Sequence, residues 1–506
     1  MAAQAPCEAE VRETGAAIFP FDNTYARLPE RFFARLSPIP VPAPQLVQLN
    51  RAFAGELGID ADRLGSPTGV AILAGNSVPS GAEPIAMAYA GHQFGQFVPS
   101  LGDGRALLLG EIIGRDGQRK DIQLKGSGQT SFSRRGDGRA VLGPVLREYI
   151  LAEAMATLGI PTTRALAAVT TGETVWRDRP LPGAILTRVA SSHIRIGTFQ
   201  YFAARQDIEA IRILSEYAIA RHYPELMGAP NPVLAFFDNV VSRQAELIAK
   251  WMLVGFIHGV MNTDNMSISG ETIDYGPCAF LDAYDPAKVF SSIDAYGRYA
   301  YGNQPAIAQW NLTRFAEALL PAAGDDAEQA AKQAQEIIDA FPARFEAVYA
   351  RGMRAKLGLF KEEPDDMRLA NELLECMARN KADFTLTFRN LCEAADGSSH
   401  DDGICAPFAD PAQFEKWALK WRQRLERESV APQRRKTEMR KANPVFIPRN
   451  HLVEEAIAAA QNERDFIPFQ RLLDVLSNPY EDKPDRARYG LPPRPGQEVH
   501  QTFCGT

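Results

Sequence analysis

The stretch HGVMNTDNMSISGETIDYG, His258 to Gly276, is where the reading of this chain turns. Asn265 and Asp274 carry oxygen donors nine positions apart, and SISGETI between them has the pattern of a short strand pair. Folding back, such a pair brings an amide oxygen and a carboxylate together. Hard divalent ions take oxygen ligands of this kind, usually one or two protein groups completed by phosphate oxygens. The stretch therefore predicts a Mg²⁺ or Mn²⁺ site that works on a phosphorylated substrate. The competing account is that Asn265 caps a turn and Asp274 opens one. Asp264, beside Asn265, is a candidate base, a candidate metal ligand, or merely a solvated charge.

Working outward, the order of residues is that of a protein kinase. His258 and Asn265 keep the seven-residue spacing of the His and Asn in H-R-D-x-x-x-x-N, and Asp274-Tyr275-Gly276 stands in for D-F-G. Upstream, Lys125 ends the strand-like run DIQLKG, comparable to V-A-I-K. Glu148 follows 23 residues later on a helix that the periodicity predicts over residues 144–158. A Lys–Glu pair in these places holds the lysine against nucleotide phosphates. One element is missing, because Val260 occupies the position of the kinase catalytic Asp.

Three loops add positive charge. Gly102-Asp103-Gly104-Arg105 is a candidate phosphate cradle, since glycine lets the backbone approach closely and arginine offers a planar fork. The same GDGR recurs at 136–139, preceded by Arg134 and Arg135, and Arg188 and Arg195 flank VASSHI. An ordinary hairpin turn explains the first GDGR about as well, and surface solvation explains any one arginine. His92, in GHQFG, has no visible acid or nucleophile partner and is expected to be a turn residue. The run QRRKTEMRKANP near residue 433 is expected to be a solvated helix face.

Composition sets the frame. The chain has 506 residues, 45% hydrophobic and 23% charged, with a net charge of −7, which argues against nucleic acid as the main partner. No apolar run approaches the roughly 18 residues that span a bilayer. The N-terminal residues lack the apolar core of a signal peptide and carry Glu8, Glu10 and Glu13, so a cytoplasmic location is expected. Six scattered cysteines form no C-x-x-C pair. Leu46, Leu49, Phe53 and Leu57 predict a helix, Ala106–Ile113 and Asp121–Lys125 predict strands joined by a turn at 114–117, and helical periodicity dominates from about residue 205. The expected fold is α+β, a protein-kinase-like bilobal arrangement with a small strand-rich N-lobe (91–204) and a larger, mainly helical C-lobe (205–506). Residues 1–90 are expected to form an N-terminal extension packed on the body, and a C-terminal tail follows the helices.

Longer blocks carry a family likeness. YAGHQFGQFVPSLGDGRA, DIQLKGSGQTSFSRRGDGRA, ILTRVASSHIRIGTFQYFA and LVGFIHGVMNTDNMSISGETIDYGPCAFLD resemble the selenoprotein O family, from about Phe19 to the C-terminus. The resemblance implies a pseudokinase that transfers AMP from ATP to Ser, Thr or Tyr hydroxyls of proteins, with the nucleotide flipped so that its α-phosphate faces the acceptor. A base set for γ-transfer would then be misplaced, which accounts for Val260. By the same likeness, Gly102, Gly104 and Arg105 would line the nucleotide loop, and Asp137 and Gly138 would complete the nucleotide site. Lys125 would contact phosphate and pair with Glu148, and Arg188 and Arg195 would hold the phosphates. Asp264 would be the proton acceptor, and Asn265 and Asp274 would bind metal, with Asp274 also at the nucleotide. Eukaryotic members carry selenocysteine third from the C-terminus. Cys504 stands there in this chain, as in the bacterial form. Cys278, just past Gly276, and Cys504 on the tail are a candidate redox pair. A uridylyltransferase using UTP with Mn²⁺, a true kinase and a silent ATP-binding scaffold remain the alternatives. At this stage Asp274→Ala is expected to abolish transfer with little loss of folding. The oligomeric state is left open.

Overall fold

The computed structural model describes residues 17–395, 405 and 407–503. It is an α+β protein in which an eight-stranded sheet is followed by a mostly helical body. The strands in chain order are β1 (Phe33–Arg35), β2 (Gln45–Leu49), β3 (Ile85–Met87), β4 (Gly91–Gln93), β5 (Gln96–Val98), β6 (Ala106–Ile113), β7 (Arg119–Lys125), β8 (Ala140–Val141), β9 (Arg164–Trp176) and β10 (Pro180–Ala190). The main sheet runs β1-β3-β6-β7-β10-β9-β2 through antiparallel neighbours, with β8 attached to β10. β4 and β5 pair only with each other.

Alternation along β7 assigns the two faces of the sheet. Ile122 and Leu124 enter one core with Phe53, Leu64 and Ile72, from the short helices Arg51–Glu56, Ala61–Leu64 and Pro67–Leu73, and with Leu57 just past the first of them. Gln123 and Lys125 point to the opposite face, toward the helix Leu142–Thr157. That helix is apolar on nearly every side, so Leu146, Tyr149, Ile150 and Met155 are all buried.

The sheet crosses the boundary expected near residue 90, because β1, β2 and β3 come from the first ninety residues. The earliest described segment is also tied to the sheet. Buried Glu111 accepts from the backbone nitrogens of Thr24 at 3.1 Å and Tyr25 at 2.6 Å. The helix expected from Leu46 through Leu57 splits in two: Leu46 and Leu49 belong to β2, and the helix starts only at Arg51. Asn50 makes the break by accepting from the Phe53 nitrogen at 3.1 Å, an N-cap that the leucine spacing hides. Arg435 in the QRRKTEMRKANP run turns inward, donating to the carbonyls of Ala395 and Leu425, so that helix is solvated on one side only.

The helix Pro232–Val254 ends at Gly255, whose φ of +74° is the left-handed cap conformation. The chain then enters β11 (Phe256–Ile257), which pairs with β12 (Ala279–Phe280). This pair brackets the stretch 258–276 from outside. The strand pair expected within it, around Met266–Ile273, does not form. Its backbone groups find neighbours elsewhere: Ile196 N donates to Met266 O at 3.0 Å, Ile268 N to Ile194 O at 3.1 Å, and Thr272 N to Pro161 O at 2.9 Å. Among the described residues no helix is long and apolar enough to cross a membrane.

Candidate active site

Four separate segments converge on Asp274. β7 supplies Lys125, the helix Leu142–Thr157 supplies Glu148, β10 supplies Arg188, and the start of the helix Ile196–Ala203 supplies Arg195. Lys125 Nζ donates to Glu148 Oε2 at 2.6 Å and to Asp274 Oδ1 at 2.8 Å. Arg188 Nη1 donates to Glu148 Oε1 at 3.1 Å and to Asp274 Oδ1 at 2.6 Å. Arg195 donates to Asp274 Oδ2 and, at 2.6 Å, to the backbone oxygen of Asp264. Asp274 meets all three cations from a left-handed backbone, φ +61°, which aspartate tolerates better than most residues.

Charge explains what this cluster is suited to bind. Lys125, Arg188 and Arg195 gather on the carboxylates of Glu148 and Asp274 in a largely dry place, with Asp103 and Asp264 nearby, so three cationic donors suited to phosphate stand together. Burial alone would raise the Asp274 carboxyl, but Arg195, Lys125 and Arg188 outweigh it and hold the group well below the usual carboxylate range. Arg188 is itself aimed by Gln123, whose Oε1 accepts from its Nε at 3.1 Å and its Nη2 at 2.6 Å. Gln123 Nε2 in turn donates to Asp103 at 3.3 Å, which links the cations to the first GDGR turn. Gln123 was not singled out from the sequence. It lies two residues from Lys125 on the same strand face, and period-two alternation is the signal that finds it.

Asp264 sits on the turn Thr263–Asn265 and is 7% exposed. Its Oδ2 accepts from Gln93 Nε2 at 3.2 Å, while Oδ1 is buried with no hydrogen-bond partner. Burial, against the pull of Arg195 and Gln93, pushes this carboxyl up to about 6. A carboxylate poised there is suited to accept a proton near neutral pH. Asn265 Nδ2 donates to Val260 O at 2.9 Å, which leaves its carbonyl oxygen for another partner. Val260 is buried and offers no proton acceptor. His258 Nε2 reaches Ile273 O at 2.9 Å while its ring stacks on Trp251, so it braces the two ends of the stretch.

The loop that leads into the second GDGR lies over the first. Thr130 Oγ1 donates to Asp103 O at 2.6 Å and Ser133 Oγ to Gly104 O, folding the second loop over the first. Gly102, at φ +65°, could not carry a side chain, because a Cβ would fall 2.2 Å from the Phe132 ring. Gly138, at φ +68°, is confined in the same way by the backbone of Gly128 at 2.1 Å. Arg105 is half-buried at the foot of β6, and its carbonyl accepts from Gly126 N beside Lys125. Asp137 is placed differently from the cation cluster. Arg177 binds its carboxylate at 2.7 and 3.0 Å and, through that hydrogen bond first, holds its pKa down. A cavity of about 690 Å³, lined by residues such as Phe53, Arg115 and Val189, contains none of the candidate site residues.

The carbonyl oxygen of Asn265, unpartnered among the described residues, and the carboxylate of Asp274 are donors of the kind a hard divalent ion takes, and the neighbouring cations suit the phosphate oxygens that would arrive with it. Among the described residues no three His, Cys, Asp or Glu side chains form a cage of their own. Cys278 is buried just beyond the stretch. Thr502 Oγ1 donates to Pro277 O at 2.6 Å and fastens the C-terminal segment beside it, while Cys504 lies outside the described residues.

Comparison with known proteins gives the family. The family described as protein adenylyltransferase SelO matches residues 17–477. The chain is 63% identical over 488 residues to protein nucleotidyltransferase YdiU of Bradyrhizobium diazoefficiens, covering 96% of this chain and 99% of that protein. It is 62% identical over 496 residues to the protein of the same name from Methylorubrum extorquens, covering 97% and 100%. For that of Rhodopseudomonas palustris the figures are 59% over 490 residues, 97% and 100%. With a match over most of its length and relatives this similar end to end, the chain belongs to the SelO family of protein adenylyltransferases.

Proposed function

We propose that this protein transfers AMP from ATP to Ser, Thr or Tyr hydroxyls of proteins, on a kinase-like frame whose nucleotide lies reversed. The observation that carries the reading is the pairing of an apolar Val260 with Asp264 four residues on, buried and raised to about 6 beside a cluster of cations. Lys125, Arg188 and Arg195 would grip the β- and γ-phosphates, with the backbone of the Gly102–Arg105 and Asp137–Gly138 loops along the nucleotide. The acceptor oxygen attacks the α-phosphorus, its proton passes to Asp264, and the bond to the β-phosphate oxygen breaks to release pyrophosphate. Asn265 and Asp274 would hold Mg²⁺ or Mn²⁺, which supplies charge neutralisation on the phosphates. The arginines and lysine stand ready before the substrate arrives, so little reorganisation is needed as charge develops.

Label from [α-³²P]ATP is expected to enter acceptor protein and label from [γ-³²P]ATP is not. Robust γ-label incorporation would overturn the reading in favour of a kinase, and preferential labelling from [α-³²P]UTP would make UTP the donor. Placing Asp at Val260 is expected to leave γ-transfer absent, because the terminal phosphate points away from it.

Lys125→Ala is expected to weaken binding of a non-hydrolysable ATP analogue by roughly tenfold or more, the value of one charge-assisted contact to phosphate. The fold is expected to survive, because Glu148 keeps Arg188 at 3.1 Å. Calorimetric titration and thermal melting together check this. Unchanged affinity would remove Lys125 from the nucleotide site.

A further inference from the structure

The GHQFG segment has so far had no role, and its contacts are specific. β4 and β5 form a hairpin outside the main sheet, closed by Phe94 and Gly95 at φ +51° and +83°, the two left-handed residues of a tight turn. The hairpin docks on the Asp264 turn residue by residue. Phe94 N donates to Asn262 Oδ1 at 3.2 Å, His92 N to Thr263 Oγ1 at 2.7 Å, and Gln93 Nε2 to Asp264 Oδ2 at 3.2 Å. His92 is a strut: its Nδ1 lies 2.9 Å from Gln200 Nε2, and Gln200 Oε1 accepts from Thr263 Oγ1 at 2.6 Å. Gly91 lies against the other carboxylate oxygen, where a Cβ would stand 2.4 Å from Asp264 Oδ1.

Gln93 and Gly91 therefore treat the two oxygens of Asp264 differently. A carboxylate rotates broadly about its last torsion, and two free oxygens would exchange places. Here Oδ2 is occupied by the Gln93 amide, and Oδ1 is left unpartnered beside the clearance that Gly91 keeps. We infer that Gln93 is the positioning residue for Asp264, holding its carboxylate in one orientation for the acceptor hydroxyl, with the hairpin packed along one side of it. This rests on the reading of Asp264 as proton acceptor. Just before the hairpin, Tyr89 ties the first GDGR turn to Arg195. Leu101 N and Gly102 N both donate to Tyr89 O, at 2.9 and 3.0 Å, and the Tyr89 ring lies under Arg195 at 4.7 Å.

Gln93→Leu keeps the volume and removes the donor. It is expected to lower kcat for AMP transfer about 10- to 100-fold, the fold-change for losing a hydrogen bond to a charged group. The affinity for a non-hydrolysable ATP analogue is expected to stay within about twofold, since a group acting on the acceptor side does not touch ground-state nucleotide binding. Gln93→Glu, of the same shape, puts a carboxylate in place of the donor and is expected to lose at least as much rate. In an Asp264→Asn background, Gln93→Leu is expected to cost nothing further, because both changes act through one group. Parental kcat in both Gln93 variants overturns the inference. So does a loss of nucleotide affinity equal to the loss of rate, or a full multiplicative loss on top of Asp264→Asn. Failure of the underlying reading looks different: Asp264→Asn by itself would then transfer AMP at the parental rate.

Discussion

Asp274→Ala is expected to abolish AMP transfer and to lower the thermal midpoint as well. The rate term follows from the chemistry of the carboxylate, which would share a divalent ion with the phosphates. Removing several kcal/mol of charge stabilisation in the transition state costs roughly 10³ in rate or more. The stability term comes from the cation cluster. Without Asp274, Lys125 and Arg188 still share Glu148, but Arg195 loses the only carboxylate that it pairs with among the described residues. Breaking a buried ion pair on one side costs about 3–5 kcal/mol, and the 21% exposure of the Asp274 side chain puts this case nearer 2–3. The spacing of residues suggests a ligand that is removable with little loss of folding. The geometry makes Asp274 a counter-ion to three cations as well. Asp274→Asn, which keeps the shape and one acceptor oxygen, is expected to regain part of the midpoint without regaining transfer. Near-parental transfer by the alanine variant would remove Asp274 from the metal and nucleotide site.

Asp264→Asn is expected to lower the rate by roughly 10²–10⁴, the usual worth of a positioned general base, while nucleotide binding survives. Asparagine preserves the size of the side chain and an acceptor for Gln93, so the hairpin contact at 3.2 Å has a partner in both proteins. What is lost is the ability to take a proton. Single-turnover transfer, set beside direct titration of an ATP analogue, separates the two effects. If affinity falls as far as rate, Asp264 is a metal ligand or a structural residue, and the proton must go elsewhere.

The sequence exposes some of this architecture and hides the rest for identifiable reasons. β6 and β7 are legible because Gly114 and Gly117 punctuate two β-rich runs, and the turn closes through Gly114 N to Gln118 O at 2.9 Å. The helix carrying Glu148 is legible because its apolar residues are dense and unbroken. β9 and β10 escape detection although they lie at the heart of the sheet. Covered on both faces over much of their length, they show little polar–apolar alternation, and Ala-rich runs such as ALAAV carry a weak strand signal. β2 is misread because Leu46 and Leu49 happen to continue the helical spacing of Phe53 and Leu57 across the Asn50 cap. In the site, Lys125 and Glu148 follow from order along the chain. The meeting of Arg188, Arg195 and Lys125 on one carboxylate does not, since it joins positions up to 149 residues apart. Gln93 is hidden for the same reason, 171 residues from the carboxylate that it holds.

The fastening of Pro277 by Thr502 has a consequence in time. It joins positions 225 apart, and Thr502 N also closes on Phe290 O at 2.8 Å. Contacts of such separation form late, after the loop between them has been ordered, and during synthesis they must wait for the distal residue to emerge from the ribosome. The segment just past Asp274 is thus secured by a stretch made 225 residues later. A nascent chain can complete its sheet and most of its helices with this latch still open, so the segment beside the site is fastened after the sheet that carries Lys125 and Arg188 has formed.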